Sequence, residues 1–253
     1  MSIQTPEELA AMRAAGRVVR LMLEAMKTAA RSGVTTADLD RIGGDVMVQN
    51  GARSGPSLGY QFPGVSCISV NDEVVHGVPS GRKLRNGDLL KLDVTIQLDG
   101  FMADAAETII VGDNPSAASS GLGNRLAASA QRAFREAMQV ARAGCRVQDI
   151  GRAVEKCVTA DGFHVIRDLC GHGIGHTIHE RPSVPNWPDP SASSVLTEGL
   201  VITVEPIIAS KSGRTTLAKD GWTVRTADRG LAAHYEHTLM ITKDEPLLLT
   251  AAA

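Results

Sequence analysis

A chain of 253 residues can bury a full core as one large domain or as two small ones. Its charges nearly cancel, 26 basic residues against 28 acidic for a net of −2, and no basic run stands out, so charge gives no support to nucleic-acid or membrane-surface binding. Four cysteines, Cys67, Cys145, Cys157 and Cys170, form no Cys-x-x-Cys pair and fit a reducing compartment, and no uncharged run reaches the length of a membrane span.

The first residues, MSIQTPEELAAM, are acidic and polar where a secretory signal would be basic and then apolar, so a soluble cytoplasmic protein is expected. They predict a helix start: Thr5 caps, Pro6 takes the first helical position and Glu8 completes a capping box. Leu9, Met12, Gly16, Val19, Leu23 and Met26 then recur at 3,4,3,4,3, one buried stripe.

A pair of similar segments follows, RSGVTTADLDRIGGDVMVQNGA and RAGCRVQDIGRAVEKCVTADGF. Gly33 and Gly144, Asp38 and Asp149, Arg41 and Arg152, and Gly51 and Gly162 all differ by 111. Each segment reads as a helix end, a glycine turn and a second helix that Asp38 or Asp149 helps to start. After each come strand-like runs. VSCISV, LLKLDVTIQL and GFMADAAETIIVG belong to the first half, with NGDLL supplying a turn; FHVIRDL, GLVITVEPII, GWTVRT and YEHTLMIT belong to the second. The stretch around Gly112–Gly123, GDNPSAASSGLG, is the expected linker, and RPSVPNWPDPSAS the expected surface loop near a site. The halves, about 8–112 and 123–245, predict one α+β domain over residues 1–253 with a site between them.

Within the second half lies CGHGIGHTIHE, Cys170 to Glu180. His172, His176 and His179 have zinc-helix spacing, but Gly171, Gly173 and Gly175 each cost about 1 kcal/mol against alanine inside a helix. An extended segment, in which glycine lets another backbone approach, is the better reading. On a strand His172 and His176 share a face and His179 points away unless a bend intervenes, so each histidine needs its own task.

The informative residues are acids inside apolar strands: Asp93 in LLKLDVTI, Glu205 in LVITVEPII, Glu236 in HYEHTLMI, and Asp104 eleven residues beyond Asp93. Singly, each suits an edge position or a basic neighbour such as Lys91, Arg225 or Arg229. Together they demand a cation, since a buried carboxylate is costly unless paired or metal-bound. Two divalent ions would balance four acids, with His172 as a neutral fifth ligand. Such donors suit Mn, Fe, Co or Zn, and two such ions roughly 3.5–4 Å apart activate a water and polarise a carbonyl.

The motifs SCISVNDEVVHGVP, KLDVTIQLDGFMAD, CGHGIGHTIHE, TVEP and DGWTVRTADRGLAAHYEHT, in this order and spacing, resemble type I methionine aminopeptidases, of the pita-bread fold. The resemblance spans nearly the whole chain. It implies two pseudo-symmetric helix–helix–strand halves around a curved antiparallel sheet, and two divalent ions held by Asp93, Asp104, His172, Glu205 and Glu236. It further implies that Asp104 and Glu236 bridge the ions, that His76 bonds the scissile peptide, that His179 meets the substrate carbonyl and that Glu205 shuttles a proton. The methionine pocket falls on Tyr60, Phe62, Cys67, Phe101, Ile178 and Trp222. The implied substrates are nascent chains or short peptides with N-terminal methionine and a small second residue, met by a monomer at or near the ribosome. His176 receives no role and is expected in solvent or against a loop.

This chain departs from the usual family pattern. Met102-Ala103-Asp104-Ala105 keeps the ligand but removes polar neighbours, the pocket stretch LGYQFPGVSC is one residue short, Phe62 replaces a tyrosine, Ser57 a cysteine and Ile178 a phenylalanine. These changes bear on substrate preference and vigour rather than fold. The rivals are an Xaa-Pro aminopeptidase or prolidase on the same fold, and a weakly active or non-catalytic binding paralogue.

Overall fold

The computed structural model describes residues 1–112 and 121–251, so the expected linker lies largely outside the described residues. Helix α1 (Pro6–Ala29) starts as its sequence requires: the Glu8 amide donates to the Thr5 hydroxyl, and the Thr5 amide to the Glu8 carboxylate, each at 3.2 Å. Its stripe is buried from Met12 to Met26, with Leu9 half-buried at the end. Helices α2 (Thr36–Gln49) and α3 (Gly55–Tyr60) follow. In the second half come α4 (Leu122–Met138) and α5 (Val147–Ala160).

The segments 111 residues apart share their backbone details. Asp38 accepts the Thr35 amide at 3.1 Å and Asp149 the Arg146 amide at 2.9 Å. Gly33 and Gly144 both sit at φ +91°, and Gly51 and Gly162 at +70° and +79°, left-handed values that glycine adopts without a Cβ clash.

The strands are β1 (Arg53–Ser54), β2 (Cys67–Val70), β3 (Glu73–Val75), β4 (Leu89–Leu98), β5 (Phe101–Ile110), β6 (His164–Val165), β7 (Gly171–Gly173), β8 (Glu180–Val184), β9 (Val201–Val204), β10 (Ile207–Ala209), β11 (Thr215–Leu217), β12 (Val224–Thr226), β13 (Ala232–His234), β14 (Glu236–Met240) and β15 (Leu247–Leu248). Most form an antiparallel sheet in the order β1-β4-β5-β14-β9-β7-β8, with β2 on β4 and β15 on β14. Two three-stranded sheets, β13-β10-β6 and β11-β12-β3, flank it.

Period-two alternation decides which residues face the helices. Leu90, Leu92, Val94 and Ile96 of β4, with Ala103 and Ala105 of β5, pack beneath Val19, Met22, Leu23 and Met26 of α1. Leu126, Ala130 and Phe134 of α4, with Ile150 and Val154 of α5, cover Ile202 and Val204 of β9 and Leu239 of β14. Each such leucine, isoleucine or phenylalanine contributes about 1.5–3 kcal/mol of burial. The intervening residues, Asp93, Thr95, Asp104 and Glu236 among them, are thereby turned to the opposite face.

Two expectations are corrected. The Pro-rich stretch is not all loop: its first residues belong to β8, which pairs with β7, and Val184 to Asn186 are buried. Of FHVIRDL only His164–Val165 is strand, paired with β10.

Candidate active site

The five acid and histidine candidates come from five neighbouring strands of one sheet. Asp93 of β4 lies opposite Ala106 of β5, which on its other side lies opposite Glu236 of β14. Asp104 is two residues before Ala106 on the same face. Glu205 follows the last residue of β9, and His172 sits in β7 beside it. One donor atom from each of Asp104, His172 and Glu236 falls within 4.8 Å of the others, and Glu205, His234 and Glu236 form a second such trio. His172 Nε2 is 3.7 Å from Glu205 Oε1.

The electrostatics of this cluster are unresolved by protein groups alone. Asp104 Oδ1, Glu236 Oε1 and both ring nitrogens of His234 are buried without a hydrogen-bond partner. Burial, then the neighbouring Glu236 and Asp93, hold the Asp104 carboxyl well above its usual range. Burial and repulsion from Glu205 push Glu236 up to about 8. Burial opposes charge on His234, but Glu205 and Glu236 outweigh it and push the imidazole up to about 10. Carboxylates this close, with unpartnered oxygens and imidazole nitrogens among them, fit divalent cations.

His172 is arranged for that task. Its amide donates to Thr203 Oγ1 at 3.0 Å, and its Nδ1 lies 2.9 Å from the Gly173 carbonyl oxygen. With Nδ1–H donating there, Nε2 keeps a free lone pair, the arrangement common in metal-binding histidines.

The glycines are explained by what surrounds them. A Cβ on Gly171 would meet the Thr203 carbonyl oxygen at 2.6 Å, and one on Gly173 the Arg181 carbonyl oxygen at 2.3 Å. β7 is thus squeezed between β9 and β8. The extended segment ends at Gly173, where a bend follows; the Glu180 carboxylate gathers it by accepting the His176 and Thr177 amides at 2.8 and 3.0 Å. The bend returns His179 to the site, its ring 4.2 Å from that of His172 at 80°. The Tyr60 hydroxyl bonds His179 Nδ1, and burial together with His172 lowers the His179 pKa to about 4, so the ring stays neutral at physiological pH. His176 turns outward, as expected, with Nδ1 3.1 Å from the Gly100 carbonyl and its ring against Phe101.

A cavity of about 690 Å³ opens onto the cluster, lined on its apolar side by Tyr60, Phe62, Cys67, Ile178 and Trp222, and reached by His76 and His179. Phe62 and Trp222 meet edge to face at 5.3 Å. Asp220 accepts the Trp222 and Thr223 amides at 2.9 and 2.8 Å, fixing that wall. Asp40 of α2 accepts the Val65 and Ser66 amides at 3.1 and 2.8 Å, fixing the stretch that leads into Cys67. His76 holds φ +56°, a sparsely populated conformation for a side chain of its size.

Phe101 is a correction: it does not line the cavity. It lies three residues from Asp104 on one strand, so parity sends it to the opposite face, where it packs with His176 and the Met12–Leu249 cluster.

One residue escaped the sequence reading. His234, 1% exposed, sits between Glu205 and Glu236; the signal was its place two residues before Glu236 in HYEHT. Lys91, weighed above as a basic neighbour of Asp93, is also 1% exposed and shares the Asp93 face of β4, but donates from Nζ to the Asn71 and Ala232 carbonyls at 2.8 and 3.1 Å. Its pKa is lowered to about 7 by burial.

The profile of metallopeptidase family M24 matches residues 10–243. The chain is 42% identical over 252 residues to methionine aminopeptidase 2 of Bacillus subtilis, covering 99% of both. The solved methionine aminopeptidase of Thermotoga maritima superposes with a TM-score of 0.92 at 32% identity, covering 100% of each chain. The prolidase of Pyrococcus furiosus shares the fold at a TM-score of 0.76 and 21% identity, with 99% of this chain and 66% of that one covered. The fold of the described residues is the pita-bread fold common to these structures.

Proposed function

This chain belongs to metallopeptidase family M24, and from that premise we propose that it is a methionine aminopeptidase, hydrolysing the peptide bond after an N-terminal methionine when the second residue is small. The observation that carries the reading is the convergence of Asp104, His172, Glu205 and Glu236 donor atoms in a buried cluster at the floor of an apolar cavity. Asp93, Asp104, His172, Glu205 and Glu236 would hold two divalent ions, drawn from cobalt, manganese, iron and zinc. Bound there, such ions supply Lewis acidity for the scissile carbonyl and make water nucleophilic near neutral pH.

The chain's own groups supply the rest. Phe62, Cys67, Ile178, Trp222 and the Tyr60 ring receive the methionine side chain, whose polarisable thioether suits aromatic and sulfur contacts. With the Tyr60 hydroxyl donating to Nδ1, neutral His179 has Nε2–H left to donate to the substrate carbonyl. His76 hydrogen-bonds the scissile amide as it becomes tetrahedral. Glu205 accepts a proton at Oε from the attacking water and delivers it to the leaving amine. The products are free methionine and a peptide one residue shorter.

The reading extends to one catalytic unit of two pseudo-symmetric halves, acting as a cytoplasmic monomer on nascent chains near the ribosome. Among the described residues, no helix is long and apolar enough to cross a membrane. The test compares release of methionine from Met-Ala-Ser with cleavage of an Xaa-Pro-Ala peptide, before and after metal removal. Activity on the first should vanish with the metal and return with manganese, cobalt or iron. Preference for the proline peptide would move the chain to the Xaa-Pro reading, and full activity after verified metal removal would sink the mechanism.

A further inference from the structure

His234 belongs to none of the roles assigned above, yet it is built into the centre of the site. Its backbone is pinned twice by one hydroxyl: the His234 amide donates to Thr108 Oγ1 at 2.8 Å, and that hydroxyl donates to the His234 carbonyl at 2.7 Å. The backbone from which the ring projects is therefore fixed in place. Both ring nitrogens lack a partner, and each such buried polar group costs about 1–3 kcal/mol if nothing meets it. The contrast with His237, three residues on, is direct. His237 lies on the helix side against Phe134, and both its nitrogens are satisfied, by Thr250 Oγ1 at 2.8 Å and the Tyr235 hydroxyl at 3.1 Å.

The distances around His234 distinguish two uses of the ring. Nε2 lies 3.5 Å from Glu205 Oε2 and 3.4 Å from Glu236 Oε2. A charge-assisted hydrogen bond would draw these atoms to about 2.7–2.9 Å. By contrast, two ligand atoms on bonds of about 2.1 Å to a tetrahedral ion stand about 3.4 Å apart. The two Nε2–Oε2 separations therefore each have the length of an edge of a metal's coordination shell, and one ligand atom from each of the three residues lies within 4.8 Å of the others.

We propose that His234 is a sixth protein ligand of the metal centre, giving Nε2 to a divalent ion that Glu205 and Glu236 also hold. The proposal rests on the two-ion reading of the site and adds to it. The centre then carries two imidazoles, His172 and His234, where the acids alone would favour manganese or magnesium. Added nitrogen donors move preference toward zinc, cobalt and iron.

Two measurements test this. The first uses the unaltered protein loaded with cobalt(II), its histidine nitrogens labelled with ¹⁵N. Proton NMR should show two hyperfine-shifted, ¹⁵N-coupled imidazole N–H resonances, and H234Q should retain one. The second is chelator competition for zinc and for manganese. H234Q should weaken zinc binding at least about 10-fold, the scale seen when groups supporting a metal site are removed, and manganese binding less. Unaltered protein that binds two ions yet shows a single imidazole resonance overturns the sixth ligand alone and assigns His234 as an imidazolium between two carboxylates. An unchanged zinc affinity in H234Q also overturns it. Unaltered protein that binds no divalent ion overturns this proposal and the two-ion reading together.

Discussion

Replacing Gly173 by alanine tests whether the glycine-laced histidine segment is shaped by close backbone approach. The added Cβ would lie 2.3 Å from the Arg181 carbonyl oxygen, 2.7 Å from its carbon and 3.1 Å from the Glu180 carbon, all backbone atoms. No rotamer change can relieve such a contact. Ordinary van der Waals contact begins near 3.4 Å, so β7 and β8 must part by about 1 Å. β7 cannot simply retreat, because β9 holds its other side through the Gly173–Ile202 pair and the bond from the His172 amide to Thr203 Oγ1 at 3.0 Å. The strain expected of overpacking is about 1–3 kcal/mol, and a chain of this size loses about 2–4 °C of Tm per kcal/mol. The larger effect falls on His172, one residue away: a metal ligand tolerates about 0.2 Å of error, and a shift of even half the required separation exceeds that. Thermal melting of the metal-free protein and chelator competition for cobalt or zinc read the two effects separately. Gly173→Ala should lower Tm by several degrees and metal affinity by at least about 10-fold. Gly81→Ala, whose Cβ would meet nothing within 4 Å, is the control and should change neither. If Gly173→Ala melts with the unaltered protein and binds metal as tightly, close approach is not why glycine stands there.

Other perturbations separate roles that the cavity brings together. His76→Ala and His179→Ala should each lower kcat by about 100-fold or more while two ions per chain remain bound; loss of metal by atomic absorption would reassign them as ligands. Phe62→Ala should lower kcat/KM for methionyl peptides, since it removes one half of the edge-to-face pair with Trp222, whereas Phe101→Ala should leave kcat/KM unchanged because its ring packs on His176 outside the cavity. Equal losses in the two variants would refute the parity argument. Glu73 is the buried acid that receives Arg225 at 2.6 Å, Arg82 at 2.9 Å and the Val70 amide at 2.8 Å. Glu73→Ala should cost about 3 kcal/mol in urea denaturation, at the low end for a broken buried pair because both arginines are partly solvated. A cost below about 1 kcal/mol would show that the network contributes little.

The candidate ligands were legible because the physics that makes them costly is local. A carboxylate within LLKLDVTI or LVITVEPII has no cheap way to be buried, and alternation alone puts Asp93 opposite the leucines that seek the helices. The helix start at Thr5 and the part Asp38 takes in starting α2 were legible for the same reason, since a cap and its third residue lie within one turn. What a single pass along the chain does not contain is register. That Asp93, Ala106 and Glu236 stand in one row needs, beyond the β4–β5 hairpin, a pairing of β5 with β14 across more than a hundred residues.

Phe101 and His234 mark the two sides of that boundary. The resemblance places Phe101 in the pocket, but on a strand over GFMADAAETII its odd spacing from Asp104 sends it to the other face. Period two was sufficient there. His234 and Glu236 have even spacing, yet Tyr235 separates β13 from β14, so parity could not be carried from one to the other. A buried histidine is also most often a satisfied core residue, which is what His237 in the same HYEHT run turns out to be. Only the three-dimensional count of partners tells them apart. The same run of five residues therefore supplies an acid of the buried cluster, a core histidine and a histidine whose two unpartnered nitrogens lie beside Glu205 and Glu236.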